Sequence, residues 1–169
     1  MIIKIAKKEI IHFIGIGGIG MSGLSLIMKG QGFKVQGSDI SNNKNIDRLK
    51  KEKIKIFLGQ SKKNLKNATM VVISSAIKNN NSELIEAKRK KIPIIKRGKM
   101  LASIVSLMKN IVVVGSHGKT TTTSLIASIF QETKIDPTII NGGVINSIKN
   151  NAKLGNSDWT ILEADESDG

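Results

Sequence analysis

Val113-Val-Gly-Ser-His-Gly-Lys-Thr-Thr-Thr-Thr123 is the stretch on which the fold turns. The β-branched run from Ile111 to Val114 reads as a strand, Gly115 and Gly118 as a turn, and Lys119 with four threonines as the opening of a helix. Strand, glycine turn and helix in that order make a grip for a nucleoside triphosphate. The glycines let the backbone come close to phosphate. The first N–H groups of the helix point at the anion, and the helix dipole favours it. Lys119 reaches the terminal phosphates, and the Thr120 hydroxyl is placed to ligate Mg2+. The residue six before Lys119 is Val113, where the standard P-loop has glycine, so the motif is the shorter Gly-x-x-Gly-Lys-Thr. The plainer alternative is a turn whose lysine and threonines only cap and solubilise the helix.

Working outward, short apolar runs alternate with helical stretches, which predicts an α/β fold with a mainly parallel sheet. Ile10–Ile14, Phe33–Gly37, Ile54–Phe57, Met70–Ser74 and Ile92–Ile95 read as strands. Helices are expected from Gly20 to about Lys29, Asn45 to Lys53, Ser82 (as cap) to about Lys90, and Lys99 to Met108. Residues 1–108 thus form a Rossmann-like unit. Residues 109–169 form the start of a P-loop α/β domain, with Lys119 to about Thr133 as helix and Thr138–Ile140 and Trp159–Leu162 as strands. The second unit has too few strands to cover its own sheet and is expected to be incomplete.

The first unit has its own glycine turn, Gly15-Ile-Gly-Gly-Ile-Gly20, between a strand and a helix. Gly15, Gly17 and Gly20 fit the dinucleotide fingerprint, and Asp39 lies at the end of the second strand, where an acid meets a ribose hydroxyl. NAD would satisfy this pattern. So would a uridine diphosphate sugar, which offers the same diphosphate and ribose.

Charge is unevenly distributed. The chain carries 27 basic and 13 acidic residues, a formal charge of +14, yet residues 158–169 hold five acids and no base. An apolar strand running into Glu163, Asp165, Glu166 and Asp168 beside a nucleotide site points to magnesium ligands. Glu163 is favoured because it directly follows Leu162, with Glu166 its competitor; a solvated acidic turn is the bland alternative. The positive charge does not read as a nucleic-acid surface: only Arg48, Arg89 and Arg97 are arginines, there is no tyrosine, and aromatic residues make up 3%. Cysteine is absent, and no apolar run reaches the length of a membrane span. The expectation is a cytoplasmic protein with no membrane partner; the oligomeric state is left open.

Taken in order along the chain, these motifs resemble the Mur ligases. The resemblance rests on Ile11-His-Phe-Ile-Gly-Ile-Gly-Gly-Ile-Gly-Met-Ser-Gly23, Gly37-Ser-Asp39, Ser74-Ser-Ala-Ile77, Gly115-Ser-His-Gly-Lys-Thr-Thr-Thr122, Asp136-Pro-Thr138 with Asn141-Gly-Gly143, and Glu163-Ala-Asp-Glu-Ser-Asp168. His117 and the acidic run are similar to those of the alanine-adding branch; the murein-peptide recycling branch shares much of the pattern. The resemblance implies ATP and Mg2+ as cofactors and UDP-N-acetylmuramate and L-alanine as substrates, joined through an acyl phosphate. It implies that Gly115, Ser116, His117, Gly118, Lys119, Thr120 and Thr121 bind ATP, that Thr120 and Glu163 hold the metal, and that Lys119, Thr120 and Glu163 act in catalysis. Gly15, Gly17, Gly18, Gly20, Asp39, Ser74, Ser75 and Ala76 would bind the UDP-sugar, with Asn141 and Gly142 toward its muramyl end. His12 reads as a packed strand residue. Members of this family have three domains and the match covers the first and the opening of the second, so the resemblance also implies that this chain alone does not turn over.

Overall fold

The computed structural model describes residues 5–106, 108–145 and 150–163. The elements in chain order are β1 (Ile10–Ile14), α1 (Ile19–Gly30), β2 (Lys34–Asp39), α2 (Lys44–Lys51), β3 (Lys55–Leu58), a 3-10 turn (Lys62–Leu65), β4 (Met70–Ile73), α3 (Ser82–Arg89), β5 (Ile94–Lys96), α4 (Arg97–Val105), β6 (Lys109–Val113), α5 (Lys119–Gln131), β7 (Thr138–Ile145), β8 (Asn150–Lys153) and β9 (Trp159–Glu163).

β1 through β5 form one sheet in the order β3-β2-β1-β4-β5, with every pair parallel. β1 lies at its centre, and Ile11, Phe13 and Ile14 have no solvent exposure, as a strand covered on both faces requires. On one face Ile11 and Phe13 pack with Met21, Leu24, Ile27 and Met28 of α1, a helical spacing that puts all four on one stripe. Ile14 and Val71 point to the other face, against Leu65, Leu84 and Ala87. Each such side chain contributes about 1.5–3 kcal/mol by leaving water. The chain builds outward from β1 to β3, then crosses to β4 and β5. The turn after β1 therefore sits at the topological switch point, where open α/β sheets bind ligands.

The second sheet has the order β6-β9-β7-β8; β6, β9 and β7 are parallel, and β8 runs antiparallel to β7. Among the described residues its core cluster is Ala127, Ile139 and Ile161, with Ile111, Ile126 and Phe130 packed on them. Val112, Val114, Leu125 and Ile129 are exposed. The two sheets meet along the later part of α1, where Leu154 packs on Gly30 and the Arg48 guanidinium donates to the Ala152 carbonyl at 3.1 Å.

Two local expectations are corrected. The cap of α3 is Asn81, whose side-chain oxygen accepts from Glu83 and Leu84 N–H at 2.9 and 3.0 Å. Ser82 is the first helical residue, and its hydroxyl donates to the Gln60 carbonyl. β7 is longer than expected and is followed by β8, an edge strand of sequence Asn-Asn-Ala-Lys that shows no apolar alternation. Polar edges of this kind suppress pairing with other chains, which is why they lack the usual strand signature. Among the described residues no helix is long and apolar enough to cross a membrane.

Candidate functional site

Strand register aligns the first group of candidate residues. Ile14 pairs with Ser38 on one side and Ile73 on the other. Gly15, Asp39 and Ser74, each the next residue, therefore stand in a row at the carboxyl edge of the sheet. The Ser74–Ile77 turn leans over the glycines: a Cβ on Gly15 would lie 3.2 Å from Ile77 Cδ1. Ser75 and Ala76 are exposed at this edge, and Ser74 is half-buried.

The turn itself is held by the protein. Gly15 and Ile16 N–H both donate to the Ser38 carbonyl, at 2.8 and 2.9 Å, and Gly18 N–H donates to the Gly15 carbonyl. Gly17 N–H donates to Asp39 Oδ2 at 2.8 Å, and the Gly17 carbonyl accepts from the Asn45 amide at 2.8 Å. A Cβ on Gly17 would lie 2.8 Å from Asn43 Nδ2 and 2.9 Å from Asp39 Oδ2, so glycine is required there by close packing. Asp39 is buried, and its other oxygen accepts from Ser41 N–H at 3.2 Å. Its carboxylate braces the loop. What the loop offers an anion is the opening turn of α1, beside which Arg97 packs so tightly that a Cβ on Gly20 would overlap its guanidinium.

Under this turn lies a buried polar cluster. The Ser38 hydroxyl donates to Glu83 Oε2 at 2.5 Å, the Asn64 amide donates to Oε1 at 2.6 Å, and His12 Nε2 stands 3.5 Å from Oε2. His12, Ser38 and Glu83 have no solvent exposure. The other ring nitrogen of His12 is 3.3 Å from the Gln36 amide. Burial alone would raise the Glu83 pKa; the His12 contact and the bonds from Ser38 and Asn64 outweigh it and hold the carboxyl below its ordinary value. His12 is thus a packed strand residue, as its position in β1 implied.

The second glycine turn differs. Among the described residues, no backbone N–H from Gly115 to Gly118 donates to a protein acceptor. Residues 114–118 are exposed, and Gly118, at φ +75°, has open space where a Cβ would stand. Lys119 Nζ folds back to donate to the Gly115 carbonyl at 2.7 Å. Thr121 is exposed on the first turn of α5.

The sheet order β6-β9-β7 brings the acid to this turn. Val113 pairs with Glu163, and the Thr120 hydroxyl donates to Glu163 Oε2 at 3.2 Å. On the other side Ile140 pairs with Leu162, which sets the next residue, Asn141, beside Glu163. Asn141 is buried with its side-chain amide against Glu163; assigned so that its nitrogen faces the acceptor-only carboxylate, the amide donates to Oε1 at 3.1 Å and also to Oε2. Gly142 continues β7. Glu166, with Asp165 and Asp168, lies outside the described residues.

This donor set fits Mg2+. A hydroxyl and a carboxylate are hard oxygen ligands, and Mg2+ in nucleotide sites is held by one or two such groups together with phosphates. Among the described residues no three of His, Cys, Asp and Glu converge on one point, and Thr120 and Glu163, in hydrogen-bond contact, are an oxygen pair that could hold such an ion. Sequence reading missed Glu83, Asn45 and Arg97 around the first turn. Arg97, one of three arginines and placed directly after β5, was the one with a readable signal. The partners of Glu83 and Asn45 are too distant in sequence for a local pattern to show them.

Known proteins with the same arrangement are numerous. The UDP-N-acetylmuramate–L-alanine ligase of Pelagibacter ubique is 76% identical over the whole of this chain, which covers 36% of that protein. The enzyme of the same name from Rickettsia prowazekii is 58% identical over 94% of this chain and 32% of its own length. The chain thus spans about a third of the length of these relatives. Among solved structures, the UDP-N-acetylmuramate–alanine ligase of Thermotoga maritima superposes with a TM-score of 0.82 at 32% identity, covering 90% of this chain and 36% of that one. The Neisseria UDP-N-acetylmuramate:L-alanyl-γ-D-glutamyl-meso-diaminopimelate ligase gives 0.85 at 29% identity, over 94% of this chain and 53% of that one. Residues 10–109, more than half of the sequence, match the family described as Mur ligase family, catalytic domain, and with that match the chain belongs to the Mur ligases.

Proposed function

We propose that this chain carries the UDP-sugar site and the ATP site of a ligase that joins L-alanine to the lactyl carboxylate of UDP-N-acetylmuramate. Residues 1–108 are the UDP-sugar domain and residues 109–169 the beginning of the ATP-binding domain. The observation that carries this reading is the second glycine turn, whose N–H groups from Gly115 to Gly118 have no acceptor among the described residues, with Lys119 beside them and Thr120 against Glu163. The identity of 76% to an alanine-adding enzyme across all 169 residues supports the same chemistry.

In this reading the N–H groups from Gly115 to Thr121 and the α5 dipole cradle the ATP phosphates. Lys119 leaves the Gly115 carbonyl for the terminal phosphates, a change of partner that needs only side-chain rotation. Thr120 and Glu163 would hold Mg2+, which would supply neutralisation of the phosphate charge as a carboxylate approaches. A lactyl carboxylate oxygen attacks the γ-phosphorus, the bond to the β-phosphate oxygen breaks, and ADP leaves with the electron pair. Lys119 stabilises the charge on the transferring group. The alanine nitrogen then attacks the acyl carbon, loses a proton, and inorganic phosphate departs as the amide forms. At the other end, the opening turn of α1 receives the diphosphate, with Ser74, Ser75 and Ala76 along the same sheet edge. The setting is the cytoplasm, where these nucleotide substrates are found.

The murein-peptide recycling reaction is the second reading, favoured by the TM-score of 0.85 to the Neisseria enzyme. Both readings take the same acid and differ in the amine. Calorimetric titration with UDP-N-acetylmuramate, NAD and Mg-ATP tests the proposal. Saturable binding of the UDP-sugar and of Mg-ATP, with no heat from NAD, is expected. NAD binding would return the first turn to a dinucleotide role. The 169-residue chain alone is expected to form no ADP when L-alanine is added.

A further inference from the structure

Glu163 is held from two sides by neutral donors. Thr120 Oγ1 reaches Oε2 from the P-loop helix, and the Asn141 amide reaches both carboxylate oxygens from β7. The strand register forces the second contact: Ile140 pairs with Leu162, so Asn141 and Glu163 leave the sheet side by side at its carboxyl edge. Asn141 is only 3% exposed, and its side-chain amide faces the carboxylate, a partner that accepts only and so assigns the nitrogen to that side. The neutrality of that donor matters. A lysine or arginine in its place would form an ion pair with Glu163 and compete with a divalent cation. An amide instead satisfies lone pairs on the sheet side and leaves the negative charge intact. The carboxylate loses rotational freedom.

We propose that Asn141 is a positioning residue for the cation end of the nucleotide site, fixing the Glu163 carboxylate for a divalent metal, in place of a role at the muramyl end of the UDP-sugar. This inference rests on the reading of Thr120 and Glu163 as the metal pair. Asn141 does not ligate the metal. It acts through Glu163, as groups that hydrogen-bond a ligating carboxylate do.

The test is Mn2+ binding, followed by electron paramagnetic resonance, to the chain saturated with a non-hydrolysable ATP analogue, with UDP-N-acetylmuramate affinity measured alongside. N141A is expected to weaken Mn2+ binding about tenfold and to leave the affinity for the UDP-sugar unchanged. E163Q should weaken Mn2+ binding at least as much, and N141A/E163Q should lose nothing beyond E163Q, because the two side chains act as one unit. Unchanged Mn2+ affinity in N141A, or losses that add in the double variant, would overturn the inference; a loss confined to the UDP-sugar would return Asn141 to that pocket. A wild-type chain that binds no Mn2+ with nucleotide would sink the underlying ATP-site reading, a result distinct from a defect in N141A alone. N141D guards against a variant that fails to fold. It keeps the shape but sets a second carboxylate against Glu163, so its melting temperature should fall below wild type in a metal chelator and recover when Mn2+ is added. A deficit that Mn2+ does not reduce counts against the proposal.

Discussion

The two glycine turns follow the same order of strand, turn and helix, and they are built in opposite ways. In the first, the N–H groups of Gly15, Ile16, Gly17 and Gly18 all bond to protein acceptors, and Asp39 and Asn45 clamp Gly17 from both sides. In the second, among the described residues, the N–H groups from Gly115 to Gly118 bond to no protein acceptor. The surroundings differ in the same sense. Among the described residues the first sheet has apolar clusters on both faces, and the second has a buried cluster of Ala127, Ile139 and Ile161 with Val112, Val114, Leu125 and Ile129 exposed. One turn is finished before any ligand arrives and presents a fixed surface. On the proposed function, the other keeps its donors for phosphate and takes its final form with the nucleotide. Substitutions at the first should therefore act mainly on folding, and those at the second mainly on binding.

The strongest test of that contrast lies beneath the first turn. Glu83 ties α3 to Ser38, whose carbonyl holds Gly15 and Ile16. E83A leaves Ser38, His12 and the Asn64 amide without their partner in a buried place, and a loss of about 3–5 kcal/mol is expected from urea unfolding. Among the described residues nothing comparable underlies the second turn. A loss below about 1 kcal/mol would show that the cluster is not stressed when opened. The same group gives a pH signature. Glu83 titrates below its ordinary value of 4.5 in the folded chain, so the folded state binds fewer protons than the unfolded one in that range. Its contribution is present above the unfolded value and is lost as pH falls through the folded one. Unfolding free energy should decline on acidification below about pH 5, and less steeply in E83Q than in wild type.

Next in size is a crossed pair. D39A strips Gly17 N–H of its buried acceptor, at a cost of about 1–3 kcal/mol, with Mg-ATP affinity unchanged. K119A removes a half-buried side chain whose solvent-exposed bond to Gly115 O is replaceable by water. It should leave the melting temperature unchanged and weaken Mg-ATP by roughly 10- to 100-fold, the range for a lost bond to a charged group. If K119A unfolded the chain, or D39A altered ATP binding alone, the contrast between the turns would collapse.

Much of this was legible in the sequence, and the reason is local. Ile10–Ile14 and the helix after Gly18 are fixed by an apolar run, a glycine turn and an apolar stripe that fall within twenty residues. Thr120 and Glu163, 43 residues apart, could be paired because a hydroxyl after a lysine and an acid after an apolar strand each carry a chemical signature. Glu83 carried none. In sequence it is an acid in the first turn of a helix, favourable to the dipole and ordinarily exposed. Its burial follows from His12, 71 residues earlier, through a sheet register that only the folded chain reveals. β8 was hidden for the converse reason: an edge strand needs no apolar alternation. Asn141 was visible as part of Asn-Gly-Gly, but its neighbour Glu163 depends on which strand lies between β6 and β7, and sequence does not order strands within a sheet.

The smallest effect separates the turns most finely, because the same change is made in both. G17A adds a methyl that meets Asn43, Asp39 and Ile46 at 2.8–3.0 Å, and in so tight a place should cost about 1–3 kcal/mol by overpacking. G118A adds the same methyl where nothing lies within 4 Å, so only the left-handed backbone at φ +75° opposes it, at about 1–2 kcal/mol. The two stability losses overlap, and the ligands tell them apart. In G118A an exposed loop can relax toward negative φ and recover part of the cost, but relaxation turns its N–H groups away from the phosphates. Melting temperature should then fall little while Mg-ATP affinity falls clearly. In G17A no such relaxation is open, because Asp39 and Asn45 hold both backbone groups of Gly17, and the loss should appear in melting temperature with Mg-ATP affinity intact. A G118A chain with unchanged ATP affinity would mean that the second turn is as fixed as the first, and that its free N–H groups are not what receives the phosphates.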